Sequence, residues 1–185
     1  SEVEFNGPAN SVSGPGLQLT LQPASAAAGI SVGGASVPGV FDVSAADIAA
    51  LAGGFSGIII GQANGTHAVS VNAASFGDAL TILAPQPGGS IAVNGQLDTR
   101  ADNDAGNLTL DGPNATTTLN ANLVTAGGQI LISDNVIVGT PATVTLDTTA
   151  GGAVPVGANV QITGTVNDDV AGIRMFRKDI EIAND

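Results

Sequence analysis

The densest run of groups able to do chemistry is Asp98-Thr-Arg-Ala-Asp102-Asn-Asp104, which sets carboxylates four and two residues apart around one arginine. Carboxylates at such spacing in a loop are the donors a hard cation takes, so Asp98, Asp102 and Asp104 are the candidate calcium ligands. The run is not an EF-hand: a loop beginning at Asp102 would put Pro113 where the bidentate glutamate belongs. Arg100 among these acids points to a second chemistry, a calcium-assisted polysaccharide lyase or hydrolase in which a basic residue takes a sugar proton. An acidic sugar polymer would need a basic groove, and outside the last dozen residues Arg100 is the only lysine or arginine. His67, the sole histidine, follows Asn64-Gly-Thr and reads as a polar turn residue. No Gly-x-Ser-x-Gly elbow surrounds Ser56 and no phosphate-binding Gly-x-x-x-x-Gly-Lys occurs, so neither nucleophilic hydrolysis nor nucleotide binding has its residues. No catalytic residue and no cofactor is assigned.

Two further patterns concern surfaces. Thr143 and Thr145, Thr163 and Thr165, with Thr116 and Thr118, would line up as a threonine ladder of the ice-binding kind if they lay one coil apart. Threonine also favours strands on propensity alone. Asn72, Asn94, Asn120, Asn135 and Asn159 stand near turns, where amides can stack in hydrogen-bonded ladders. Asn64-Gly-Thr, Asn107-Leu-Thr and Asn114-Ala-Thr match the short glycosylation sequon.

These groups must be positioned by strands. Beyond Leu80 the chain repeats a short alternating apolar stretch followed by a Gly, Asn or Asp turn, as in Ile91-Ala-Val-Asn-Gly, Leu108-Thr-Leu-Asp-Gly and Ile130-Leu-Ile-Ser-Asp. That cadence predicts an all-β stacked solenoid, in which each coil buries its apolar face on its neighbours. Apolar pairs recur every 11 to 16 residues or so; two strands per coil then give about eight coils and a rod of about 40 Å. An antiparallel β-sandwich is the alternative, since many short strands with turn signals suit both.

The organisation expected is one solenoid segment over 1–185, part of a longer chain. It divides into irregular coils over 1–79, regular coils over 80–170 and an end coil or junction over 171–185, where Ile173-Arg-Met-Phe-Arg-Lys178 holds three of the four cations. Val3-Glu-Phe and Leu17-Gln-Leu-Thr-Leu read as early strands. Ser44-Ala-Ala-Asp47 has the form of a capping box ahead of Ile48 and Leu51, with Gly53-Gly54 beyond, and predicts one short helix over 44–52.

Composition narrows the partners. Sixteen acids against four bases give a net charge of −12, which disfavours nucleic acid and anionic lipid. There is no cysteine, hence no disulfide and no thiolate metal site. No basic n-region opens the chain and no apolar run is long enough to insert in a membrane. Phe is the only aromatic type, so the core must rest on Val, Ile, Leu and Ala.

Phe41-Asp-Val-Ser-Ala-Ala-Asp-Ile-Ala-Ala-Leu-Ala-Gly-Gly-Phe-Ser-Gly-Ile-Ile-Ile-Gly-Gln resembles a segment of filamentous-haemagglutinin-like bacterial surface proteins, with a short helix before an Ile-rich strand ending in Gly. Val154-Pro-Val-Gly-Ala-Asn-Val-Gln-Ile-Thr-Gly-Thr-Val-Asn-Asp resembles their strand repeats, so the likeness spans about residues 40–170. The resemblance implies a right-handed parallel β-helix in a secreted or cell-surface fibre, with an adhesive or structural role and no catalytic residues. The expected partners are a host or neighbouring-cell surface, glycan or matrix. The alternative is self-association end to end through Val3-Glu-Phe and Ile180-Glu-Ile.

Overall fold

The computed structural model describes residues 3–102, 105–139, 143–168 and 180–183. Three sheets form the walls of a stacked solenoid. The first holds β1 (Gln18–Leu21), β4 (Gly57–Gly61), β7 (Leu80–Leu83), β10 (Leu108–Asp111), β13 (Ile130–Ile132) and β16 (Val160–Ile162). The second holds β2 (Ile30–Val32), β3 (Phe41–Val43), β5 (Ala68–Val71), β8 (Ser90–Val93), β11 (Thr116–Leu119), β14 (Asn135–Val138) and β17 (Val166–Asp168). The third holds β6 (Ala74–Ser75), β9 (Leu97–Asp98), β12 (Leu123–Val124), β15 (Val144–Asp147) and β18 (Ile180–Ala183).

Neighbouring strands in each sheet pair in parallel; β3 lies outside β2 at the amino-terminal edge of the second wall, and from β4 onward the chain advances one coil per circuit of the three walls. The fold is therefore an all-β parallel solenoid and not the antiparallel sandwich; the antiparallel contact among the described residues is an isolated bridge between Ala126 and Thr149. From β4 onward each coil uses three strands, one per wall, where two were expected. Among the described residues the six strands of the first wall mark six coils, where eight were expected for the chain, and five spacings of ~4.8 Å make that part of the stack about 24 Å long.

The register explains the core. Leu19, Ile58, Leu80, Leu108, Ile130 and Val160 lie side by side along the first wall, and Ile30, Val69, Ile91, Thr117 and Val136 along the second. Except at Thr117, aliphatic side chain stacks on aliphatic side chain in these rows, and each fully buried Val, Leu or Ile contributes roughly 1.5–3 kcal/mol. Phe41, Phe55 and Phe76 join this core at its amino-terminal end, which supplements the aliphatic set expected.

That end is closed by α1 (Ala45–Ala50). Ser44 caps it as predicted: its hydroxyl accepts from the Asp47 N–H at 3.3 Å while the Asp47 carboxylate accepts from the Ser44 N–H at 2.9 Å. The helix stops before the two glycines because Leu51 turns extended and bridges Val12 in parallel. Residues 3–5 are not a strand. The Val3 N–H donates to the Asp42 carbonyl and the Phe5 N–H to the Asp47 carboxylate, so this segment straps the cap. The spacing around Asn64-Gly65 is a corner between walls, with β4 and β5 in different sheets.

Candidate functional site

The acids gather where the third wall turns into the first, and threonines build that corner. Along the third wall Leu97, Leu123 and Leu146 point inward in register, and two residues later Thr99, Thr125 and Thr148 are fully buried. Each hydroxyl donates to a backbone carbonyl of the loop returning to the first wall: Thr99 to Gly106 at 2.5 Å, Thr125 to Gly128 at 2.5 Å, Thr148 to Ala158 at 2.9 Å. Each acceptor lies two residues before the first inward residue of the next strand, Leu108, Ile130 or Val160. The bond thus closes loops of separation 7, 3 and 10 at one geometry. Loop-length differences are shed sideways, and the core register survives an irregular repeat. Sequence reasoning missed these threonines, although Leu-Asp-Thr99, Leu-Val-Thr125 and Leu-Asp-Thr148 carry the signal.

Asp98 stands on the outer side of this wall. It accepts from the Ser75 hydroxyl and lies 3.8 Å from the Arg100 guanidinium. Asp147, two coils along the same row, accepts from the Thr149 N–H at 2.7 Å, the Thr149 hydroxyl at 2.7 Å and the Gly151 N–H at 2.6 Å. Burial works against its ionisation, but these donors and the Arg100 charge outweigh that, so the carboxyl is held below its ordinary range. Its work is to shape the loop that begins at Thr149. Arg100 is likewise committed to the acids beside it.

Asp102 folds back to line a cleft of about 180 Å³ with Asp78, Phe76 and the end of α1. Its carboxylate fills the space over Gly53, where a Cβ would come within 2.6 Å of Oδ2. Asp78 accepts from the Gly54 N–H at 2.8 Å. Of the three candidate calcium ligands, Asp98 and Asp102 are therefore placed, and Asp104 lies outside the described residues. Among the described residues no group of three His, Asp or Glu side chains is arranged to hold a metal ion. The cation-bearing stretch 173–178 also lies outside them.

His67 is fully buried, its Nδ1 2.8 Å from the Ala28 carbonyl oxygen, and serves the packing of a corner. Asp134 is a buried acid that the sequence did not single out. It sits between β13 and β14 with Oδ2 accepting from the Thr117 hydroxyl at 2.7 Å and Oδ1 without a partner. Burial, reinforced by the nearby Asp111 and opposed by the Thr117 hydroxyl, pushes its carboxyl up to about 6.

The surface patterns resolve differently. The threonine pairs do not align: Thr145 pairs with Glu181, while Thr116 and Thr118 stand beside Ser90 and Ala92 on one side and Asn135 and Ile137 on the other. Of the five asparagines expected to stack as a ladder, Asn94 and Asn120 do so, and Asn72 bonds a backbone carbonyl instead. The Asn120 amide donates to Asn94 at 2.8 Å, Asn94 to the Ser70 hydroxyl at 3.1 Å, and Asn72 to the Gly33 carbonyl at 3.4 Å. Asn135 instead accepts from Thr165.

A scan of protein-family models, a search of curated proteins and a search of solved structures each returned no match to the chain. The likeness to filamentous-haemagglutinin-like proteins accordingly rests on the residues quoted for it. The fold defines the class: a three-walled parallel solenoid with a capped amino-terminal end.

Proposed function

We propose that the chain is a structural and adhesive segment of a bacterial extracellular or cell-surface fibre, working without catalysis by presenting flat walls to a host or neighbouring-cell surface, glycan or matrix. The observation that carries this reading is the uninterrupted register of the walls through coils of unequal length. Buried threonines and the outer acids Asp98 and Asp147 are used to hold loops and corners. A solenoid built this way is a stiff spacer, because every coil is tied to both neighbours by backbone ladders and a continuous core.

The test is adhesion in the absence of turnover. Beads coated with the chain should be retained on bacterial or animal cell layers and on extracellular matrix, where beads bearing an unrelated acidic protein wash off. Equal loss of both bead types from all these layers would overturn the adhesive part. Release of sugar products from the same matrix by the purified chain would overturn the non-catalytic part.

A further inference from the structure

We infer that the outward face of the second wall is a docking surface for an uncharged, hydroxyl-rich linear polymer, a neutral polysaccharide. The inference rests on the adhesive reading above and names its face and its ligand class.

The three walls differ in what they turn outward. On the third wall the outward Asp98, Val124 and Asp147 are at least nine-tenths buried, and of the outward groups that are reachable, Thr145 is half-buried and the exposed Ser75 has its hydroxyl tied to Asp98, so that face offers few free polar groups. The first wall turns out a mixture that includes half-buried Ile59, Leu83, Leu131 and Asp111. Through β5, β8, β11 and β14 the second wall turns out no charged residue at all, on a chain of net charge −12. Its outward positions are mostly hydroxyls and amides, including Ser70, Ser90, Thr116 and Thr118, each half-buried and therefore reachable.

The array is rigid before anything binds. The bonds from Asn120 to Asn94 and from Asn94 to Ser70 fix the amides along the stack, at one step per ~4.8 Å strand spacing. The ladder ends at Gly139, where a Cβ would lie 1.9 Å from the Asn120 side-chain oxygen. Polar groups already held in place lose little freedom on binding, which favours many individually small hydrogen bonds. Repeated along a polymer, such contacts add up through multivalency.

The chemistry of the face selects the partner class. Nucleic acid and acidic polysaccharide are repelled by the net charge. A protein partner would need a central aromatic, arginine or large apolar anchor, and Ile137 is the one large apolar side chain turned outward there. A neutral polysaccharide offers donors and acceptors without charge, at sugar-ring intervals comparable with the strand spacing.

The full chain is mixed with microcrystalline cellulose and with chitin powder, washed, and the retained fraction measured. Thr118→Glu places a charge on the second wall; Thr109→Glu places one at an equally half-buried outward position on the first wall, and circular dichroism checks both folds. Retention of the parent chain on either powder is expected, unchanged in Thr109→Glu and lowered about tenfold or more in Thr118→Glu. Loss of retention in both variants alike, or no retention of the parent on either powder, would overturn the assignment. So would a concentration-dependent dimer or shaping of ice crystals abolished by Thr118→Glu without polymer binding. If the powders fail while coated beads still adhere to cells, the face assignment falls and the adhesive reading stands; if both fail, both fall.

Discussion

Asp134 shows how one side chain can tie the stability of the stack to pH. It is 3% exposed, one oxygen has no partner, and its carboxyl sits at about 6 against an ordinary 3.8. The folded value lies above the unfolded one, so the protonated form is the one folding favours. Its contribution is complete below the ordinary value and is lost as pH rises through about 6, at a cost of up to about 3 kcal/mol. Asp134→Asn should therefore flatten the fall in stability between pH 4 and 7 and raise the urea midpoint at pH 7. Parallel pH profiles for parent and variant would show that the buried charge is not the cause. Thr125 supplies the opposite case, a buried polar group that is satisfied. Thr125→Val keeps the shape but strands the Gly128 carbonyl, and should cost about 1–3 kcal/mol in urea unfolding. A loss close to zero would mean that the clasp adds nothing to the core around it.

At the scale of elements, the corner between the third and first walls separates loop length from register. The same hydroxyl-to-carbonyl bond closes separations of 3 and of 10 residues. Replacing residues 149–157 by an Ala-Gly link like that between Thr125 and Gly128 should thus leave β15 and β16 in place. Shortening the loop recovers about 1 kcal/mol of closure entropy, set against the lost hydrogen bonds at Asp147. The net change should be a loss of about 1–4 kcal/mol, with amide-exchange protection of β13 and β14 retained. Loss of protection there would show that the long loop itself sets the register. The helix is the element most legible in advance, because Ser44 and Asp47 form a local device whose geometry depends on four consecutive residues. Its end was less legible, since Leu51 leaves the helix for a partner, Val12, far away in the chain.

For the whole molecule, a solenoid predicts graded rather than uniform sensitivity, since each coil is stabilised by its neighbours. Leu108 is fully buried between Leu80 and Ile130, and Leu108→Ala should cost about 2–5 kcal/mol. Val160 lies in the terminal strand of the first wall and is half-buried, so Val160→Ala should cost roughly 1 kcal/mol or less. Equal losses in chemical denaturation would mean that the end coil is as fully covered as the middle. The same scale sets the division of the surface: acids crowd the loop corner and leave the outward face of β5, β8, β11 and β14 without a charge, a separation that the linear order of residues does not display.

Read alone, the chain determined its strand period, its turns, its short capped helix and its stacked β character, because each depends on residues close in sequence: alternation, a Gly or Asn corner, a capping box. It also held the Leu-x-Thr signature of the buried clasp. What only the tertiary structure decided was the circuit of three walls, the register between coils and hence which polar residues meet. Asp98 faces Ser75 and Arg100, Asp134 is shut away with Thr117, and the asparagines at 94 and 120 touch while those at 135 and 159 do not join them. The physical reason is that parallel strands pair with residues a full coil away. Neighbours are chosen by the length of each circuit once its loops are excluded, and that length is set by hydrogen bonds that close only when the chain has folded.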